Sequence, residues 1–396
     1  MFLVTEDFSF WARRRPLARK AEEIGAEVWV MTCPGPFAEK LKGEGFRVIP
    51  WLVSRSSLNP LHELYSFLQV LKAFRSLRPD LVHHFALKPV VYGGLAARMC
   101  KEIRCVYSIV GLGQAFTSPN WTMRTVRRLL RPLLRVALKR EGSTTILQNR
   151  ENCQFLVDWE VVRAEHCVLI SGSGVNTSDF TPKPEPEGVP VVILPGRMLW
   201  EKGIQEFIGA AEMLRTRGVS ARFVLVGEPD SDHSSSIPLT QLHEWVTRGV
   251  VEWWGQQGDM PGVFARSNVV CLPSYGEGVP KALIEAASSG RAIVASDVPG
   301  CREVVRHREN GLLVPARSIE PLADALSRLI QDAALRGRMG ACGREIALSK
   351  FGEELVLAQF LEVYRNLLGH RLPNVGSVAA HSPCREEAPT LPHATT

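Results

Sequence analysis

Short apolar runs alternate with helical patterns along almost all of this 396-residue chain, and the alternation restarts once, near its middle. That order constrains the fold most, because repeated strand–helix–strand units build parallel sheets covered by helices. The first half predicts strands near Phe2–Thr5, Glu27–Met31, Arg47–Trp51, Leu81–Phe85, Arg104–Ile109, Thr144–Leu147 and Cys167–Ile170. The second half predicts strands near Val191–Leu194, Arg222–Val226, Val250–Trp254, Val269–Leu272 and Ala292–Ala295. Ile204, Phe207, Ile208, Ala211 and Leu214 share one helical face. The expectation is an α/β protein of two doubly wound, Rossmann-like units facing each other across a cleft. Ligands in such sheets sit beyond the carboxyl ends of the strands.

The Pro-rich, polar stretch Lys183–Gly188 suits a surface connection between the units. The division is placed at residues 1–175 and 176–370, with the final helix free to pack back on the first unit. Residues 371–396, rich in Pro, Ala, Ser and Thr, are expected to be a disordered tail. An apolar content of 45% is ample for two cores. No apolar run is long enough to predict a membrane-crossing helix. The segment starting at Met1 reads as a strand rather than a leader, so a cytoplasmic location is expected. Nine dispersed cysteines, without a CxxC pair, fit reduced thiols. The net charge of +6 is uneven: Lys and Arg are in excess through Val175, and Asp and Glu are in excess after it. That basic excess comes with an amphipathic stretch and no nucleic-acid module, so no nucleic-acid partner is expected.

The densest chemical signal is SYGEGVPKALIEAASSG, residues 274–290. An apolar strand runs into a Gly-rich turn, and Pro280 suits the first position of the helix that follows. Backbone N–H groups and the positive helix end then converge on one spot suited to phosphate. Glu277 lies in the turn and Glu285 in the helix, so one carboxylate is placed near phosphates and the other near a diol further along. Taken alone, the pair reads equally as solvated helix-end charge.

With its surroundings, EGVPKALIEAASSGRAIVASDVPGCREVV resembles the E-x7-E motif of the retaining family-4 glycosyltransferases, which have the GT-B fold. The subgroup it is similar to extends polyprenyl-diphosphate-linked sugars in bacterial surface-glycan assembly. The resemblance runs from Met1 to about Gly369. It implies that Glu277 faces the donor sugar and Glu285 the ribose, and that Arg197 and Lys202, in GRMLWEKG, hold the donor diphosphate without metal. A planar guanidinium fork and a flexible ammonium after a strand end suit that task. The alternative for Lys202 is a surface pair with Glu201. Gly196, Gly227, Gly278, Val279, Pro280 and Lys281 complete the candidate donor site. Lys281 has two readings open, a phosphate or Glu277. Asp230-Ser231-Asp232 reads as a solvated loop, and no metal site or cofactor is expected. Asn310-Gly311 reads as a hairpin-type turn.

On the acceptor side, Trp121–Arg140 interleaves Arg124, Arg127, Arg128, Arg131, Arg135, Lys139 and Arg140 with leucines, the pattern of a helix at an anionic membrane. Its alternative is a core helix with a basic outer face. Pro132 is expected to kink or split it. The run Arg13-Arg14-Arg15 has two readings open, contact with an acceptor diphosphate or with the membrane; Arg14 matches the resembled subgroup and Ala12 and Arg13 do not. His83 is the candidate cleft residue of the pair His83-His84, with a buried structural role as its alternative. Gly111 and Gly113 form the subgroup's GLG turn, and Val110 stands where many family members have a His.

The implied activity moves a sugar, with an N-acetylhexosamine the candidate, from a UDP-sugar to a polyprenyl-diphosphate-linked saccharide, at the inner face of the plasma membrane. Two rival readings are a UDP-sugar epimerase of the same architecture and a non-catalytic nucleotide-sugar-binding scaffold.

Overall fold

The structure is a computed structural model that describes residues 1–55, 57, 59–100, 102–111, 121–231 and 233–369. The tail predicted at 371–396, Gly113 and Asp232 lie outside the described residues.

Among the described residues thirteen strands form two parallel sheets. The first holds β1 (Phe2–Val4), β2 (Trp29–Thr32), β3 (Arg47–Pro50), β4 (Leu81–Phe85), β5 (Arg104–Ile109), β6 (Ser143–Leu147) and β7 (Cys167–Leu169), in the order β3-β2-β1-β4-β5-β6-β7. The second holds β8 (Val191–Pro195), β9 (Arg222–Val226), β10 (Glu252–Trp253), β11 (Val269–Leu272), β12 (Ala292–Ser296) and β13 (Gly311–Val314), in the order β10-β9-β8-β11-β12-β13. Both reverse their winding once, between β1 and β4 and between β8 and β11, which makes each a doubly wound unit with a crevice at the reversal. The predicted fold class is the observed one.

Helices cover both faces, so the inner strands are apolar on both sides. Every residue of β8, β11 and β12 is buried. The predicted helix is found at Ile204–Thr216, and the five residues predicted to share its apolar face are all buried. The sequence reading missed β13, taking Asn310-Gly311 for a hairpin turn. A hairpin joins antiparallel strands, whereas β13 pairs parallel with β12. The Asn310 side chain is buried, accepting from Arg306 N–H and donating to the Val304 carbonyl.

Helix Glu353–Leu368 follows the second unit in sequence but packs on the first: Val356, Leu357, Phe360, Leu361 and Tyr364 join Phe2, Val4, Phe10 and Leu17 in one cluster. Pro132 does not split its helix, which runs unbroken over Trp121–Leu138. Leu134, Ala137 and Leu138 face inward, while Leu129, Leu133 and Val136 are exposed beside exposed Arg124, Arg128 and Arg135. No helix among the described residues is long and apolar enough to cross a membrane.

Candidate active site

The residues that end β8, β9 and β11 enter the cleft at the reversal of the second sheet. Gly196 and Arg197 follow β8, Gly227 to Asp230 follow β9, and the turn 273–280 follows β11. Gly227 has φ 137°, and a Cβ there would strike the Gly196 carbonyl, so only glycine lets these two strand ends lie side by side.

Each cation predicted to grip phosphate is held by an internal carboxylate. Lys202 Nζ donates to Glu277 Oε1 at 2.6 Å, and Ser274 Oγ donates to the same oxygen at 2.7 Å. Lys202 therefore turns into the site rather than toward Glu201. Arg197 Nη1 donates to Asp230 Oδ2 at 2.6 Å. Lys281 Nζ lies 3.7 Å from Glu285 Oε1 and donates to the Ala12 carbonyl at 3.2 Å, which settles its open choice against Glu277. Asp230 is not the solvated loop residue the sequence suggested, because Arg197 and Arg55 both bond it. Among the described residues no group of His, Cys, Asp and Glu could hold a metal ion.

Glu285 is buried, and burial raises its carboxyl to about 7 against the opposing pull of Lys281 and Arg13. Its helix begins at Lys281, with Pro280 as the extended residue just outside, one place from the position predicted. Tyr275 OH donates to the Glu206 carboxylate at 2.8 Å, with the Arg317 guanidinium over its ring. That bracing fixes the start of the Glu277 turn.

The first unit closes on this turn. Val279 N–H donates to Gln148 Oε1 at 2.8 Å, and Asn149 Nδ2 donates to the Gly278 carbonyl at 3.3 Å. A Cβ at Gly278 would strike the Val110 carbonyl, so the glycine serves close approach between the two halves. The Val279 amide is thereby used by Gln148, and its side chain is buried in the second unit's core. Gly111 is exposed beside the Gly278 backbone.

Two acceptor-side residues are not where the sequence reading put them. His83 is fully buried, with Tyr364 OH at 2.5 Å from Nδ1 and Ser108 Oγ at 2.7 Å from Nε2. Burial first, then the Arg14 and His84 charges, holds it neutral. It lies within a strand flanked by β1 and β5, with helices on both faces, so it lines no cleft. Arg14 is buried with its guanidinium 4.2 Å from the Phe85 ring centroid, and burial lowers it to about 9. Arg13 takes its place. Its side chain reaches solvent, yet protein crowds it enough to lower its pKa, through burial and then Arg197, against Glu277, Glu285 and Glu6. The Lys281 bond to the neighbouring Ala12 carbonyl brings this end of helix Asp7–Arg13 to the cleft.

A cavity of about 280 Å³, lined by Met1, Glu27, Trp29, Asp80, His83 and Tyr364 among others, lies at the N-terminal ends of β1, β2 and β4. That is the end opposite to the one where such sheets hold ligands. Apart from buried His83, no predicted site residue lines it, and the chemistry stays with the cleft.

A family model described as "Glycosyl transferases group 1" matches residues 189–332, and one described as "Glycosyl transferase 4-like" matches residues 1–150. The chain belongs to the family-4 glycosyltransferases. It is 28% identical, over 93% of its length and 98% of the relative's, to the N,N'-diacetylbacillosaminyl-diphospho-undecaprenol alpha-1,3-N-acetylgalactosaminyltransferase of Campylobacter jejuni. It is 24% identical, over 75% of its length and 78% of the relative's, to the UDP-Gal:alpha-D-GlcNAc-diphosphoundecaprenol alpha-1,3-galactosyltransferase of Escherichia coli. In fold it is similar to Anabaena HepE in complex with UDP-glucose, with a TM-score of 0.73, 20% identity and coverage of 92% of this chain and 98% of the other. This glycosyltransferase therefore has the GT-B fold, and neither the epimerase nor the scaffold reading finds support among its relatives.

The sequence reading missed Ser274, Asp230, Arg55 and Gln148, and within the basic run it chose Arg14 over Arg13. Ser274 stands in the quoted motif, but its bond to Glu277 depends on turn geometry that spacing does not encode. Gln148 lies over a hundred residues from Val279, and Arg55 over a hundred from Asp230.

Proposed function

We propose that this glycosyltransferase moves a sugar from a UDP-sugar to a polyprenyl-diphosphate-linked saccharide, with retention of anomeric configuration and without metal. The observation that carries this reading is the set of internally paired cations, Lys202–Glu277, Arg197–Asp230 and Lys281–Glu285, at the carboxyl end of the second sheet. A dianionic ligand offers such cations a stronger partner than one carboxylate. Glu285, five residues into its helix, faces the ribose hydroxyls, and Glu277 the sugar.

In transfer, the bond from the anomeric carbon to the diphosphate oxygen breaks, and its electron pair leaves with the diphosphate. The acceptor hydroxyl oxygen bonds that carbon on the same face, and its proton passes to the departing phosphate. Arg197, Lys202 and the positive end of helix Lys281–Ser288 stabilise the charge that builds on the leaving group, commonly the largest catalytic contribution. Val110 leaves no imidazole at the sugar, so that charge stabilisation carries the step.

The acceptor partner and a peripheral place at the membrane's inner face rest on the relatives that act on undecaprenyl-diphosphate-linked sugars. The exposed Arg124, Arg128 and Arg135 beside exposed Leu129 and Leu133 support the same reading, since each basic residue adds attraction to an anionic surface. The test incubates purified protein with UDP-, GDP- and ADP-sugars and a short lipid-diphosphate acceptor, read by mass spectrometry. A lipid product heavier by one sugar from a UDP donor is the expected result. Isomerised UDP-sugar formed without acceptor, or transfer from GDP-sugars alone, overturns the reading.

A further inference from the structure

One contact across the cleft reaches directly into the proposed phosphate site. Asp230 Oδ2 accepts from Arg197 Nη1 at 2.6 Å and from Arg55 Nη2 at 2.9 Å. Arg197 and Asp230 follow strands of the second sheet, whereas Arg55 follows β3 of the first. Arg55 is itself steadied by Glu6, just after β1, whose Oε1 accepts from its Nη1 at 2.6 Å. Burial opposes ionisation of Asp230, but the two guanidiniums outweigh it and hold the carboxyl below its usual range. Asp230 is the carboxylate shared between the halves, unlike Glu277 and Glu285, whose ion pairs stay within the second.

We propose that Asp230 is an internal competitor for the donor's phosphates whose strength Arg55 sets, so that donor affinity is coupled to the join across the cleft. The proposal rests on the reading that Arg197 holds the donor diphosphate. A diphosphate approaching Arg197 meets a guanidinium already engaged by Asp230. While Arg55 shares that carboxylate, Asp230 holds Arg197 less tightly, and the guanidinium turns to the phosphates at lower cost. Donor binding then leaves Asp230 to Arg55, and the contact between halves tightens as the phosphates arrive. Without Arg55, Asp230 is left to Arg197 alone and competes harder.

This predicts opposite signs for two substitutions at one ion cluster. Titration calorimetry with UDP on the full chain is the measurement, on wild type, Asp230→Asn, Arg55→Gln and the double variant, each checked for folding by circular dichroism. Asp230→Asn is expected to tighten UDP binding by about threefold, and Arg55→Gln to weaken it by a similar factor, the size of a partly exposed ion pair. The double variant is expected to match Asp230→Asn, because Arg55 acts through the carboxylate. Arg55→Lys, which keeps a cation there, is expected to bind UDP nearly as wild type. Weaker or unchanged binding in Asp230→Asn overturns the proposal, as does an Arg55→Gln effect of equal size in both backgrounds. Wild type that gives no heat with UDP instead overturns the donor reading on which the proposal stands.

Discussion

Two strand–turn–helix units meet the cleft from opposite halves of the molecule, and they place their polar residues differently. In one, β11 is wholly apolar, and its polar groups lie in the turn 273–280 and the helix Lys281–Ser288. In the other, β4 carries His83 and His84 inside the strand, and a single residue, Ala86, leads into helix Leu87–Arg98. The β11 segment delivers Ser274, Glu277 and Lys281 to the site. The β4 segment keeps both imidazoles in the core, with burial lowering His84 to about 3. A side chain in an inner parallel strand is enclosed by its neighbours and by the helices on both faces. Chemistry reaches the cleft from residues beyond the last ladder bond, and the longer turn supplies them.

The largest effect that tests this contrast is Glu277→Gln. It removes the charge that pairs with Lys202 and that the proposed reaction sets against the sugar, and kcat is expected to fall by about 10²–10³-fold with the fold retained. Turnover near wild type would break the comparison at its centre. Lys202→Ala is next, with an expected loss of about 10²-fold in kcat, since in the proposed reaction the leaving diphosphate loses a cation. Stopped transfer assays with excess donor separate both effects from weaker binding.

A pH series sharpens the role of Glu285. Its carboxyl sits at about 7 in the folded protein because of burial. In the proposed role ribose hydroxyls donate to the ionised form, so donor binding strengthens as pH rises through that value and weakens as it falls. Between pH 6 and 8 the donor Kd is expected to improve by about tenfold, as a single site near 7 requires. Glu285→Gln should bind more weakly and show a flat profile; a wild-type Kd that worsens with rising pH would reverse the assignment.

The smallest expected effect on catalysis belongs to β4. His83→Ala leaves Tyr364 and Ser108 without their partner, costing about 1–3 kcal/mol of stability and lowering Tm. The kcat of the folded enzyme is expected to stay within about twofold of wild type. A loss comparable to that of Glu277→Gln would return His83 to the active site.

Most of this architecture was legible before any coordinates. Apolar runs such as Val269–Leu272 and Ala292–Ser296 are continuous because they are covered on both faces, and that coverage is what a parallel sheet requires. The motif around Glu277 was legible for a related reason, since a Gly-rich turn between a buried strand and a helix has few uses. Gly311–Val314 was less so, because Asn310-Gly311 imitates a hairpin signal and only pairing with β12 distinguishes an edge strand. Adjacent arginines at 13 and 14 were beyond reach by composition. Which of them faces the cleft depends on how helix Asp7–Arg13 ends, and the packing of Phe85 under Arg14 decides it.

By itself, then, the sequence determined two wound sheets, the turn and helix that bear the glutamates and the cations beside them, because hydrophobic periodicity and turn chemistry are local properties. Only the tertiary structure decided that His83 belongs to the core, that Asp230 sits between Arg55 and Arg197, and that Gln148 occupies the Val279 amide. Those are contacts between residues far apart in the chain, and their partners are chosen by the way the two halves meet.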